Sequence, residues 1–428
     1  MRRFILFFLL FPTLVNAQDI LSLKEAIDTA LKNNLEIQIS KNKLKISHIQ
    51  NTYGMASGLP FININSGDQF SLSNTDQKYK SGTENSFTDI NNNSVNAGIS
   101  AGMTLFNGFK VIATKEKLTL LEKKSELALN WEIQNTIAAV MIKYYDIIRQ
   151  QNYLKIIQNT LDVNNKKLEI ITAKEKVGMS NAIELLQAEI DVNMAQQNLK
   201  SQELIIAEAK TDLGLIMNMS SLFTIEDSII IDENIQKDSI LLFLKNNPNY
   251  LSLEQQLKIN QQTVKEITAL RYPAIKMNTA YDFYRATSNN ASLLINQDYG
   301  PSVGLSLQFP LFNGFYYKKQ RQSAIIEVTN TKLAQESLLN TMMADAENTY
   351  NSYVSTLEQI NVQKENYKKA KKLVDIIMQN FQLNQSTILE VKTAQTSLEN
   401  VSYLLTNLQF ACKSAEIELK QLIFQLGN

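Results

Sequence analysis

The side chains able to do chemistry are few. The chain holds one histidine, His48, and one cysteine, Cys412. A lone imidazole and a lone thiol cannot assemble the usual zinc sites, and a single cysteine excludes a disulfide framework. Imidazole acid–base catalysis would rest on His48 alone. No carboxylate spacing suggests an enzyme built on an acid pair, and no cofactor is called for. The charges, 42 Lys+Arg against 42 Asp+Glu, leave no basic excess for displacing phosphate counterions, which argues against nucleic acid as a partner. His48 is expected to be a surface or packing residue and Cys412 a small packing residue. The cluster Lys364, Lys368, Lys369, Lys371 and Lys372 is expected to be a solvated helix face. What remains are isolated acids such as Glu184 and Glu390, whose meaning depends on the elements that carry them.

Those elements are long. Gly (13) and Pro (6) together make about 4% of 428 residues, against roughly 12% in average usage. The chain is also written twice. Leu31-Lys32-Asn33-Asn34 returns as Leu244-Lys245-Asn246-Asn247 at an offset of 213. Leu105-Phe106-Asn107-Gly108-Phe109 returns as Leu311-Phe312-Asn313-Gly314-Phe315 at an offset of 206, and Ser180 to Glu184 matches Ser386 to Glu390 at the same offset. The change of seven falls between Pro60 and Leu105, so the second copy has a shorter loop there.

Residues 18–218 are read as the first copy, 219–237 as a linker and 238–428 as the second copy. Each copy opens with a short helix, 22–56 and 238–271. The first starts at a capping box, Ser22 with Glu25, and the second is expected to break at Asn247 before Pro248. Two strands follow in each copy, 60–73 with 95–106 and 273–284 with 301–312, around polar loops Ser66 to Ser94 and Arg285 to Tyr299. Long helices 109–177 and 315–383 then turn back into helices 180–218 and 387–426. Residues 1–17 pair Arg2 and Arg3 with the apolar run Phe4 to Phe11 and end in Val15-Asn16-Ala17, the pattern of a cleaved export signal. Its removal leaves a net charge of −2, and no later segment is apolar enough for a spanning helix.

The strands alternate with period two. Val95, Ala97, Ile99, Ala101, Met103 and Leu105 interleave with Asn96, Gly98, Ser100, Gly102 and Thr104, and Val303, Leu305, Leu307 and Phe309 with Gly304, Ser306 and Gln308. This pattern fits a soluble half-buried sheet as well as a membrane barrel strand with lipid on one face and water on the other. Four strands cannot close a barrel, so a membrane reading needs several chains. The helices and the export signal tip the choice toward the membrane. Neither Gly nor Pro occurs from Phe109 to Val177 or from Phe315 to Leu426, and 69 residues of helix reach about 100 Å. Val140, Ile147, Leu154, Leu161 and Leu168 recur every seven residues, as coiled-coil seams do.

This arrangement, with Leu-Phe-Asn-Gly-Phe twice and a Val177-Gly178-Met179 turn, resembles the TolC-like outer-membrane efflux family over residues 18–428. The resemblance implies a mainly α fold with a transmembrane β part. It further implies a homotrimer in the outer membrane of a Gram-negative bacterium. Each chain would give four strands to a 12-stranded barrel in outer-membrane lipid and its long helices to a periplasmic α-barrel. The implied function is the exit duct of a tripartite efflux or type I secretion system, working with a periplasmic adaptor and an inner-membrane pump or ABC transporter. The rival is a periplasmic coiled-coil scaffold without a pore. The resemblance also assigns a periplasmic constriction to Glu390, Thr393 and Glu184. Adaptor-contact tips would be Val177, Gly178 and Met179 and, in copy two, Leu383, Asn384 and Gln385. Strand-to-helix turns fall at Asn107, Gly108, Asn313 and Gly314. The family's closing latch ties the acid at Glu184 to an Arg and a Tyr, whose positions here are Ser386 and Phe381, so this chain departs from it.

Overall fold

The structure is a computed structural model that describes residues 20–225, 228–289 and 294–426. The export signal assigned to residues 1–17 lies outside the described residues. Strand β1 (Ile20–Leu21) precedes helices α1 (Leu23–Asn33) and α2 (Leu35–Gln50). Strands β2 (Phe61–Lys78) and β3 (Glu84–Asn107) lead into α3 (Lys110–Lys176) and α4 (Ala182–Met217). After β4 (Thr224–Ile225), copy two repeats the order. It runs through α5 (Lys237–Phe243), a 3-10 turn (Leu244–Asn246), α6 (Pro248–Ala269), β5 (Ala274–Ser288), β6 (Ile295–Gln308), α7 (Tyr316–Gln382) and α8 (Ile388–Leu422).

The first short helix is broken, not continuous over 22–56. Asn34, in an extended conformation, caps α2 by accepting from Ile37 N at 3.1 Å, and its amide donates to Ile216 O at 2.9 Å. Asn247, the equivalent position, is also extended and donates to Leu422 O at 2.9 Å. One asparagine thus breaks the helix in each copy and ties it to the end of its own returning helix; copy one does so without a proline.

The strands run further than alternation predicts. Residues expected to be loop at Ser66 to Ser94 are mostly ladder, with pairing from Phe61↔Gly102 to Lys78↔Glu84, and β5–β6 pairing reaches Thr287↔Ile295. In this stretch Asn91 to Ser94 of β3 are polar on both faces and only Phe70 and Leu72 interrupt the polar run of β2, so hydropathy loses its period while the backbone ladder continues. Strand β6 ends at Gln308 instead of 312. Its ladder ends there because its partner β5 begins at Ala274, which pairs with Gln308.

Two compact units share the chain. One comprises the described residues of Met1–Lys41, Leu129–Pro248 and Leu338–Asn428; the other comprises Asn42–Ala128 and Asn249–Ser337. Each draws on both copies, so the repeats are not the compact bodies. The second unit contains an antiparallel sheet ordered β2-β3-β5-β6, in which β3 of copy one pairs with β5 of copy two. A lone hairpin is marginal in water, and joining the two hairpins supplies the neighbours each lacks.

The first unit is helical around a core of Val140, Ile147, Ile148, Leu213, Met217 and Ile417. Helix α3 bonds to α4 through Gln202 Nε2 to Gln150 O and to α8 through Thr160 Oγ1 to Glu399 Oε1, while α7 bonds to α8 through Gln363 Nε2 to Val401 O. The order within this unit is therefore α4, α3, α8, α7. The segment between copies is held down. β4 pairs in parallel with β1, Asp232 accepts from Lys420 at 3.0 Å, and Asp232 N donates to the buried carboxylate of Glu416.

Candidate functional site

Three groups of residues carry the functional reading: the helical turns, the acids beside them, and the sheet faces. At the first turn α3 closes with the paired bonds Met179 N to Lys174 O (2.8 Å) and Gly178 N to Glu175 O (2.9 Å), with Gly178 at φ +76°. Gln385 N to Asn380 O (2.8 Å) and Asn384 N to Phe381 O (3.3 Å) repeat this closure, with Asn384 at φ +59°. Asparagine tolerates that left-handed backbone, so copy two makes the same turn without glycine. Val177, Met179 and Leu383 stand exposed around the two turns.

The acids start the returning helices. Thr387 Oγ1 accepts from Glu390 N at 3.2 Å, and the Glu390 carboxylate accepts from Thr387 N at 2.7 Å, a closed capping box. Glu184 N donates to Asn181 Oδ1 at 2.9 Å, and the Glu184 carboxylate accepts from Ser180. Thr393 bonds back to Leu389 O at 2.9 Å and is exposed. Each acid therefore sits beside a helix N-terminus, whose positive end favours it.

The position expected to bear the latch tyrosine, Phe381, is buried with Ile171, Ala188 and Val391. Lys174 reaches across from copy one, donating to Phe381 O at 2.8 Å with its ammonium 4.2 Å from the ring centroid. A second tie lies nearby. Lys167, 1% exposed, donates to Asp191 Oδ2 at 2.6 Å, and Lys392 of α8 lies 3.5 Å from Asp191 Oδ1. Burial pushes the Asp191 carboxyl up, but the Lys167 bond and charge, with Gln187 and Lys392, outweigh it and hold it below the usual carboxylate range. Nothing in the sequence marks Lys174, Lys167 and Asp191, because lysine and aspartate on long helices look like solvated positions until the partner helices are placed.

The strand-to-helix turns are matched too. Gly108 and Gly314 have φ of +67° and +62°, Phe109 and Phe315 follow at +67° and +63°, and each motif stacks its two phenylalanines edge to face, at 5.3 Å in Phe106–Phe109 and 5.6 Å in Phe312–Phe315. Register sorts the sheet into two faces. Ile64, Ile99 and Tyr281 share one with Met103, Met277, Leu305 and Val303; Asn63, Ser100 and Ser302 share the other with Asn65, Gly98 and Asp282. From Tyr299 to Leu307 the apolar side of the last strand covers about 26 Å, or about 20 Å for a barrel strand's tilt. Large apolar side chains on this face, including Ile64, Val303, Leu305 and Leu307, are exposed.

Of the two single residues, His48 Nδ1 lies 2.7 Å from Glu122 Oε1 on an exposed surface, and Cys412 is buried, its thiol pushed up to about 11 by burial and by Glu416. Among the described residues no group of three or more His, Cys, Asp or Glu could hold a metal ion, and no helix is long and apolar enough to cross a membrane.

A two-faced antiparallel sheet continued by paired long helices defines the fold class of solved outer-membrane channels. The outer membrane protein VceC of Vibrio cholerae matches with a TM-score of 0.77 at 17% identity, over 94% of this chain and 95% of that one. The CmeC outer membrane channel of Campylobacter jejuni gives 0.78 at 13% identity, over 95% and 86%, and the open state of MtrE from Neisseria gonorrhoeae gives 0.73 at 16%, over 94% and 89%. At these identities the likeness is one of fold. No curated protein sequence matches the chain. The chain belongs to the outer membrane efflux protein family, whose model matches residues 26–218 and 240–423. Its place is the outer membrane and its role is transport; fold and family are those of channels, not enzymes.

Proposed function

We propose that the chain forms, as a homotrimer, the exit duct of a tripartite efflux or type I secretion system in a Gram-negative outer membrane. In this reading a periplasmic adaptor docks at the turns around Val177-Gly178-Met179 and Leu383-Asn384-Gln385. An inner-membrane pump or ABC transporter supplies the energy. The observation that carries it is the sheet, which has one apolar exposed face, one polar face and, among the described residues, two unpaired edges, β2 and β6. Three such sheets supply twelve strands, enough to close a barrel with lipid outside and water inside. The helical unit supports the same assembly. Its exposed large apolar side chains gather on the outer helices of the row, with Ile183, Leu186, Ile190 and Met194 on α4 and Val362, Leu373 and Ile376 on α7. A ring of copies covers both. A pore-free scaffold would leave the sheet's apolar face in water.

Within this duct Glu390 forms a ring of three carboxylates at the periplasmic constriction, with Thr393 beside it and Glu184 at the equivalent place in copy one. Such a ring attracts cations. The test is conductance in planar lipid bilayers. Wild-type protein is expected to open discrete pores that divalent cations block, and Glu390→Gln to weaken that block at least several-fold. No pores would contradict the duct; unchanged block in Glu390→Gln would remove Glu390 from the constriction.

A further inference from the structure

We infer that the helical unit holds a binding site for one uncharged amphiphilic small molecule, in a cavity between α3, α7 and α8. The cavity measures about 320 Å³ and is partly open, at the lower end of the size range of small-molecule sites. Its α3 wall is the stripe Asn152, Ile156, Asn159 and Val163, and its α8 wall is the stripe Gln395, Leu398, Ser402, Leu405 and Gln409. Each stripe has the spacing of one helix face. Tyr367 and Val374 come from α7. All belong to the same compact unit of one chain, so the site goes beyond the duct reading and does not depend on it.

The space exists because the seam between α3 and α8 loses its bulk there. Toward one end Ile147, Ile148 and Ile417 share a core, and toward the other Ile171 packs with Val391. Between these cores the buried positions of α8 are Gln395, Ser402 and Thr406. Gln395 is drawn to Asn164, donating to its Oδ1 at 3.1 Å, and Ser402 and Thr406 are too small to fill what a Leu or Phe would. The walls thus forfeit packing contacts that a bound molecule would restore.

The lining also sets the chemistry of the occupant. Ile156, Val163, Val374, Leu398 and Leu405 offer an apolar bed. Ser402 Oγ donates to Leu398 O at 2.6 Å and Thr406 Oγ1 to Ser402 O at 3.0 Å. Both hydroxyls are therefore spent as donors and keep lone pairs that can accept from a ligand N–H or O–H. An ion finds no such welcome. The two charged residues of the lining, Lys155 and Glu399, are opposite in sign and both already engaged, Glu399 accepting from Thr160 at 2.7 Å. A charged molecule would lose its water there without gaining a counter-charge. The occupant is a neutral molecule with an apolar body and amide or hydroxyl donors.

The test is isothermal titration calorimetry of the purified full chain in lipid nanodiscs, with N-benzoyltyrosinamide, an uncharged aryl amide, as the probe and empty nanodiscs as the background. The wild type is expected to bind one molecule per chain, saturably, and its thermal midpoint to rise as the site fills. N-benzoyltyrosine, which carries a carboxylate, is expected to bind at least tenfold more weakly, a comparison that needs no variant. Ser402→Leu on α8 and Val163→Phe on α3 each put bulk into the cavity. Each is expected to weaken binding at least tenfold while the helical circular dichroism is kept, and the second serves should the first fail to fold. No saturable binding to the wild type, equal binding of the carboxylate, or undiminished binding in a folded, filled variant overturns the site. Pores in bilayers are untouched by any of these outcomes, so the duct stands or falls separately.

Discussion

At the scale of single residues, the positions that matter most here are charged groups placed where charge is costly. Lys167 is buried and has Asp191 as its partner, with Lys392 of copy two on the same carboxylate. Removing one member of a buried pair leaves the other uncompensated, at a cost of about 3–5 kcal/mol. Asp191→Asn is expected to lower unfolding stability by that order, while Lys392→Gln, on the exposed side, should cost under about 1 kcal/mol. Equal effects in denaturant titrations would mean that Lys167 finds another partner. The sign with pH follows from Asp191, whose carboxyl is held below its ordinary value. Its contribution is complete above the unfolded value of about 4 and is lost as pH falls through the lower folded value. In Asp191→Asn this part of the acid sensitivity should vanish. None of these pairs was legible in the sequence, because residues 24 or 201 apart reveal no contact until the helices are laid side by side. The turn residues were legible, since a left-handed backbone admits few residues besides Gly and Asn.

At the scale of elements, the long helices announce themselves through missing breakers and seven-residue spacing, and they occupy Lys110–Lys176 and Tyr316–Gln382. Strand length was hidden where both faces turn polar, as from Asn91 to Ser94, since alternation needs contrast to be seen. The break at Asn34 was hidden as well. Its physical cause is a side chain that caps the next helix and bonds to Ile216 O, and no proline marks it. Loss of such a cap costs about 1–2 kcal/mol. Asn34→Ala and Asn247→Ala are each expected to lower the thermal midpoint, and Asn33→Ala to leave it within about 1 °C, a shift worth a few tenths of a kcal/mol. A midpoint unchanged in Asn34→Ala would show that the helix breaks there for another reason.

At the scale of the whole molecule, the repeat explains why one chain is incomplete. Copy one pairs with copy two inside the chain, and among the described residues β2 and β6 are the outer strands of the sheet, while α4 and α7 expose large apolar side chains on the outside of the helical row. The four strands of the large sheet were expected from the sequence, and the need for several chains followed from that number; the two-residue strands β1 and β4 are too short for alternation to show. What the sequence could not show is that the compact units cut across the copies, because that depends on which strands and helices neighbour each other. In the proposed duct, copies of the same chain close these outward surfaces within the outer membrane. This closure is tested most directly by separating membrane from soluble periplasmic protein and running the fractions unboiled and boiled. Membrane-bound protein at about three times the chain mass, falling to a single chain on boiling, is expected. Protein found as a monomer in the soluble fraction, unchanged by boiling, would contradict it.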